Sequence, residues 1–403
     1  MRHIQPTILT FVAVVAPGCA RYTPAPLDVE RSLRASSTPM PAAFTYDEAV
    51  RRAVRENPDL VALRARAAAI NLAPPREPIE AGGGVDSDHR GELSLSLDAL
   101  SLLWLGTRPY EVALACARRN EATLAHHARA REIAGEIAEA FVVERALATL
   151  GEPDYRVEVG AFVRAGLESG AAETAAAATA ANWESERAAR TAESRANHLT
   201  LARLLGLPPG TEVRLTPVAA DWPAVADPTP AALIAARADV QRKVAAFETA
   251  DREIRLAVQR QFPSLMLAPG VAMDPTTLFG AVRLRLPVGL APEVRALEAA
   301  REAARADVES SVLDAVRDAG EAKARFAATG PALAAARKRV EAASALLKGS
   351  RLRLEVASGS PIETVLSADA VVDGAASLRT ALLDEARARV KAARAAGWPG
   401  AAP

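Results

Sequence analysis

The chain carries one pattern twice, 189 residues apart. Gly91 to Leu97 alternates Leu93, Leu95 and Leu97 with Ser94 and Ser96, then leads into a long Ala/Arg/Glu-rich stretch. Gly280 to Leu286 alternates Val282, Leu284 and Leu286 with Arg283 and Arg285, then leads into another such stretch. The offset persists downstream, where Ser169-Gly170 answers Ser358-Gly359. The opening of the first unit, Asp47 to Leu60, is echoed loosely by Pro230 to Val240. A repeated unit of long helix, β-hairpin and long helices leaves few folds open, so the repeat frames every other reading.

Composition narrows the packing. Aromatic residues are 4% of 403, and Ala, Arg, Glu and Leu dominate. With helical periodicity, that bias predicts long helices and coiled coil, whose thin core is made of Ala, Leu and Val. Lys plus Arg and Asp plus Glu both total 49, so no net field recruits nucleic acid. The interspersed charges read as solvated helix faces.

Residues 1–18 read as an export signal, with Arg2, an apolar run from Ile8 to Ala16, and then Ala16-Pro17-Gly18-Cys19. The run is too short to span a bilayer as a helix. Small residues before Cys19 give a partial lipoprotein box, which makes Cys19 a candidate lipid anchor; ordinary signal cleavage nearby is the alternative. Residues 19–44 are rich in Pro, Ser and Thr and read as a tether. Cys116 then stands alone, and a lone Cys in a helical stretch is most simply a small buried hydrophobe.

Residues 45–210 form the first expected repeat. Thr45 or Asp47 caps its opening helix, Val50, Val54, Leu60 and Leu63 give it an apolar stripe, and Asn57-Pro58 should kink or reset it. Pro74, Pro75 and Pro78 end it, and Ala81 to Asp88 reads as turn-rich. A helix to about Leu150, another from Tyr155, a turn near Ser169-Gly170 and a return to Leu205 should follow. Residues 211–230 read as a proline-rich linker, 231–396 as the second repeat and 397–403 as a flexible end.

In the second repeat, Ser264 to Met273, the turn Asp274 to Thr277 and Gly280 to Leu286 form a hairpin. Its period of two suits either a lipid-facing strand or a small soluble sheet packed on a helix. Leu333, Val340, Leu347 and Leu354 recur every seven residues as a seam for a partner helix. Val308, Val312 and Val316 make a stripe upstream. Glu293 to Lys348 would measure roughly 80 Å as one helix, with a kink or break expected at Gly330-Pro331. Ser358 to Pro361 reads as a turn and Ile362 to Ala395 as the returning helix.

In this order and duplication, the chain resembles the TolC-like outer-membrane efflux family. The residues that carry the likeness are Tyr46 to Leu63 with Asn57-Pro58-Asp59-Leu60, Phe262-Pro263-Ser264-Leu265, Gly280 to Leu286 and Ser358-Gly359 to Val372. It covers nearly all of 45–396. The resemblance implies a mainly α fold with a small β part. Duplicated units of long antiparallel coiled-coil helices plus a β-hairpin would form a homotrimeric α-helical tunnel with a shared outer-membrane β-barrel. It implies a passive duct for toxic compounds or metal ions in a tripartite efflux or type I secretion system. The partners would be outer-membrane lipid, a periplasmic adaptor and an inner-membrane pump. A lipid-anchored periplasmic helical scaffold without channel activity is the rival reading, since the first hairpin is short and Trp104, Phe262 and Phe279 are the few candidates for an aromatic girdle.

Site residues follow from that frame. Family members carry gating carboxylates near the last hairpin tip; here Ser367 stands where Asp is common, between Glu363 and Asp369. A three-fold axis turns each inward carboxylate into a ring. Ser94, Ser96, Arg283 and Arg285 are the barrel-lumen candidates by strand parity. Ser169, Gly170, Ser358 and Gly359 are the expected adaptor contacts. His126 and His127 point about 100° apart on a helix and make a poor ligand pair. No Gly-rich phosphate loop, Cys pair or nucleophile–base set stands in the sequence, so no enzyme, cofactor or metal site is expected.

Overall fold

The computed structural model describes residues 42–72, 79–85, 91–98, 107–150, 170–208, 210–219, 221–262, 264–273, 276–285, 291–356 and 358–398. The expected signal, the tether up to residue 41, Cys19, Trp104, the start of the helix expected from Tyr155 and Ser169 lie outside the described residues.

The opening signals act locally. Helix α1 (Tyr46–Glu56) starts at Thr45 with a full capping box. Thr45 Oγ1 accepts from the Glu48 N–H at 3.4 Å, and the Glu48 carboxylate accepts from the Thr45 N–H at 2.9 Å. Asn57-Pro58 resets the chain as expected, and α2 (Pro58–Leu72) begins there. The helix α3 (Arg108–Ala148) has 41 residues, and α4 (Gly170–Leu204) has 35. The second repeat opens with α5 (Pro230–Ala236), a break at Arg237 and α6 (Ala238–Gln259). Then come α7 (Ala291–Glu355), of 65 residues, and α8 (Pro361–Ala395). At 1.5 Å per residue α7 is roughly 100 Å long.

No break occurs at Gly330-Pro331, because α7 runs through Pro331. Proline lacks the N–H for its helical bond and crowds the residue before it. Gly330 has no Cβ for the Pro331 ring to crowd, and no other part of the described chain approaches it within 4 Å. Packing on either side holds the helix. Ala322 is buried against Ala392 and Ala395, and Leu333 and Ala336 are buried further on. The expected seam holds in part: Leu333 and Leu347 are buried, Val340 and Leu354 are only partly so, and Ala336, Ala343 and Ser350 complete the buried line. Ala343 and Leu347 pack on Ala368 and Val371 of α8. Upstream the valine stripe is not the buried line: Ala315 and Ala322 are, while Val316 is exposed.

Between the helical repeats lies one antiparallel sheet, in the order β1 (Ile79–Val85), β2 (Gly91–Asp98), β3 (Ser264–Met273), β4 (Thr276–Arg285). The two hairpins pair through β2 and β3, with Ser94 opposite Gly270 and Leu97 opposite Leu267. The turn expected from Ala81 is corrected, since Ala81 to Val85 is strand, with Gly82 opposite Ser94 and Gly84 opposite Glu92. Glycine has low intrinsic strand preference, so this strand is set by its neighbour rather than by its own residues.

The described residues fall in one unit. Its largest core joins α1, α2, α3 and the end of α4, through Val50, Leu60, Ile133, Ile137, Phe141, Leu201 and Leu205. The stretch after α4 joins this core: Val213 is buried, and Leu215 bridges Phe44 in parallel. A second cluster joins Val142 and Val143 of α3 to Leu383 and Val390 of α8. Cys116, expected to be buried, is exposed on α3.

Candidate functional site

The α7–α8 turn is closed by backbone geometry. The Ser358 N–H donates to the Arg353 carbonyl at 2.9 Å, and Ser358 Oγ donates to the same oxygen at 3.2 Å. Gly359 is required there, because a Cβ would lie 3.0 Å from Leu354 N and 2.9 Å from Arg353 Cβ. Gly170, at the start of α4, has open space around it.

The gate candidates are each engaged. Glu363 forms an ion pair with Arg353 across the turn, both about half exposed. Ser367 Oγ donates to the Glu363 carbonyl at 2.8 Å. Asp369 accepts from Asn182 Nδ2 of α4 at 3.0 Å. Asn182–Asp369 is the first of three polar ties between α4 and α8. Glu186 accepts from Arg379 Nε at 2.8 Å, and Glu193 pairs with Arg387. Partners separated by 187, 193 and 194 positions place the two returning helices of the repeat side by side and parallel. Sequence reasoning missed these ties, because no local spacing links residues so far apart.

In the sheet, the register decides which residues share a face. Ser94 lies opposite Gly270, and Gly270 opposite Phe279. Counting by twos along each strand puts Ser94, Ser96, Arg283 and Arg285 on one face. Glu80 pairs with Ser96, Asp98 with Met266, and Met266 with Arg283, so the acidic Glu80 and Asp98 join that face. The leucine run of β2 supplies the opposite face. Parity along β2 alone could have found Asp98; Glu80 needed the pairing.

His126 and His127 sit on α3 with ring centroids 5.8 Å apart. His126 Nε2 is buried without a hydrogen-bond partner. Burial first, then the charges of His127 and Arg64, hold its imidazole below the ordinary value. Among the described residues, no group of three or more His, Cys, Asp or Glu is placed to hold a metal ion, and no helix is long and apolar enough to cross a membrane.

Solved structures of outer-membrane channels share this arrangement of long paired helices and one four-stranded antiparallel sheet. The outer-membrane channel OprN is 16% identical with a TM-score of 0.69, over 88% of this chain and 90% of that one. CusC is 15% identical with a TM-score of 0.70, over 88% and 92%. The open-state MtrE channel of Neisseria gonorrhoeae is 16% identical with a TM-score of 0.68, over 87% and 88%. No family model matches the chain, and no curated protein does. The chain therefore has the fold of the TolC-like outer-membrane channels.

Proposed function

We propose that this chain is a passive exit channel of the outer membrane. It would act as a homotrimer in a tripartite efflux or type I secretion assembly, carrying small toxic compounds or metal ions that an inner-membrane pump delivers through a periplasmic adaptor. One observation carries the reading: among the described residues the sheet ends in two unpaired edges, β1 and β4. Unpaired strand edges are not viable in lipid. Three copies of four strands close a barrel of twelve and remove every edge.

Within that assembly the face with Ser94, Ser96, Arg283 and Arg285 lines the lumen, and the Leu-rich face meets lipid. Gly170, Ser358 and Gly359 mark the helix ends that meet the adaptor. Glu363, Ser367 and Asp369 form the periplasmic gate, restrained by the Arg353 and Asn182 contacts, and adaptor binding shifts the balance of closed and open states. Cys19, where lipidated, adds an anchor. No catalytic step is assigned to the chain.

Planar-bilayer conductance, with oligomer mass measured on the same detergent-purified sample, tests the proposal. A trimer with discrete conductance steps is expected. A monomer without conductance would overturn it and favour the lipid-anchored scaffold.

A further inference from the structure

A cleft of about 750 Å³ lies where α3, α5, α7 and α8 meet, away from both the sheet and the hairpin tip. Its charges do not cancel. Of the five carboxylates on its wall, four are engaged: Glu132 by Arg129, Glu139 by Arg387, Asp239 by Arg237, and Asp318 by Arg317 and Arg237. Among the described residues, Asp384 alone of the five has no cationic partner, and three cations on the same wall have no carboxylate partner: Arg131, Lys391 and Arg394. Arg131 spends one N–H on the Ala236 carbonyl at 2.6 Å.

Arg394 is held in place. Its half-buried guanidinium crosses α3 over Gly135, where any Cβ would collide with Arg394 Nε and Cδ. Gly inside a helix costs about 1 kcal/mol relative to Ala, so α3 forgoes a side chain at the point where Arg394 crosses. Lys391 stands one turn earlier on the same helix. The far wall is Trp398, fixed by stacking on Tyr46 at 5.8 Å and by an edge contact with Trp222 at 5.4 Å. Cations without carboxylate partners beside an aromatic face suit one ligand class.

We infer that this cleft binds a small organic carboxylate, with its head group between Arg394 and Lys391 and its apolar body against Trp398. Titration calorimetry on the detergent-solubilised full chain, with benzoate as probe and chloride holding ionic strength constant, tests this. Saturable binding is expected, weakened roughly tenfold or more by Arg394→Gln, as the loss of a charge-assisted hydrogen bond implies. Lys391→Gln, at an exposed position, should weaken it too without touching the fold. Neutral benzamide should not bind, and inorganic phosphate should bind more weakly than benzoate. The inference falls if benzoate gives no saturable heat, if both variants bind like the parent, or if benzamide binds equally. Phosphate displacing benzoate at lower concentration would also overturn the assignment.

Discussion

Arg379 Nε of α8 lies 2.8 Å from Glu186 Oε1 of α4, and the Glu186 side chain is only 5% exposed. Arg190 approaches the same carboxylate oxygen at 3.4 Å, with its guanidinium 5.8 Å from the Trp183 ring centroid. A carboxylate so enclosed depends on its cations, since losing one partner of a buried pair costs about 3–5 kcal/mol. Arg190 remains in the single variant, so Arg379→Ala should cost less, about 2–3 kcal/mol. Chemical denaturation at fixed protein concentration measures it. In a double-mutant cycle with Glu186→Gln, a coupling energy near zero would show that the pair is not a working tie.

Gly359 and Gly170 make a paired test at the helix ends. Gly359→Ala forces a Cβ to 3.0 Å from Leu354 N and should loosen the α7–α8 turn by about 1–2 kcal/mol. Gly170→Ala meets nothing within 4 Å and, at a helix start, should be neutral or slightly stabilising. Amide exchange across 353–363 reads the difference. Equal protection in both variants would contradict the steric argument.

Stability should fall on mild acidification through His126. Its folded value lies below the ordinary 6.5, mainly because the ring is partly buried, with Nε2 shut off from solvent. Below pH 6.5 the unfolded chain takes up a proton that the folded chain refuses. The contribution is therefore complete above pH 6.5, declines as pH falls below it, and is gone below the folded value. Denaturation midpoints at pH 7.5, 6.5 and 5.5 should drop less in His126→Gln than in the parent. A parallel drop in both would remove His126 from the account.

Asn57 holds two elements at once. Its Oδ1 accepts from the Asp59 and Leu60 N–H groups, and its Nδ2 donates to the Leu204 carbonyl at 3.0 Å. Asn57→Ala should cost about 1–3 kcal/mol, because it strands buried backbone groups of both α2 and α4. Asn57→Asp keeps the cap but loses the donor. If melting shows the aspartate variant as stable as the parent, the bond to Leu204 contributes nothing.

The chain's local signals were legible because local physics sets them. The Thr45 cap, the Asn57-Pro58 reset, the α7 seam and the Ser358–Pro361 turn each depend on residues within one or two helical turns. The duplication also shows itself in space, with the offset lengthened to 191: α4 and α8 each end in a glycine with positive φ, Gly206 at 65° and Gly397 at 84°. Gly206 abuts the end of α1 at Glu56, and Gly397 abuts the end of α5 at Ala236. Only the tertiary structure could decide the rest. The glycine-rich β1 is a strand because β2 pairs with it, and α7 passes Pro331 because packing on both sides holds it. β2 finds β3, and α4 lies along α8, across more than 160 residues of sequence. Periodicity marks which face of an element must be covered; which distant element covers it depends on the packing and hydrogen bonding of the whole chain.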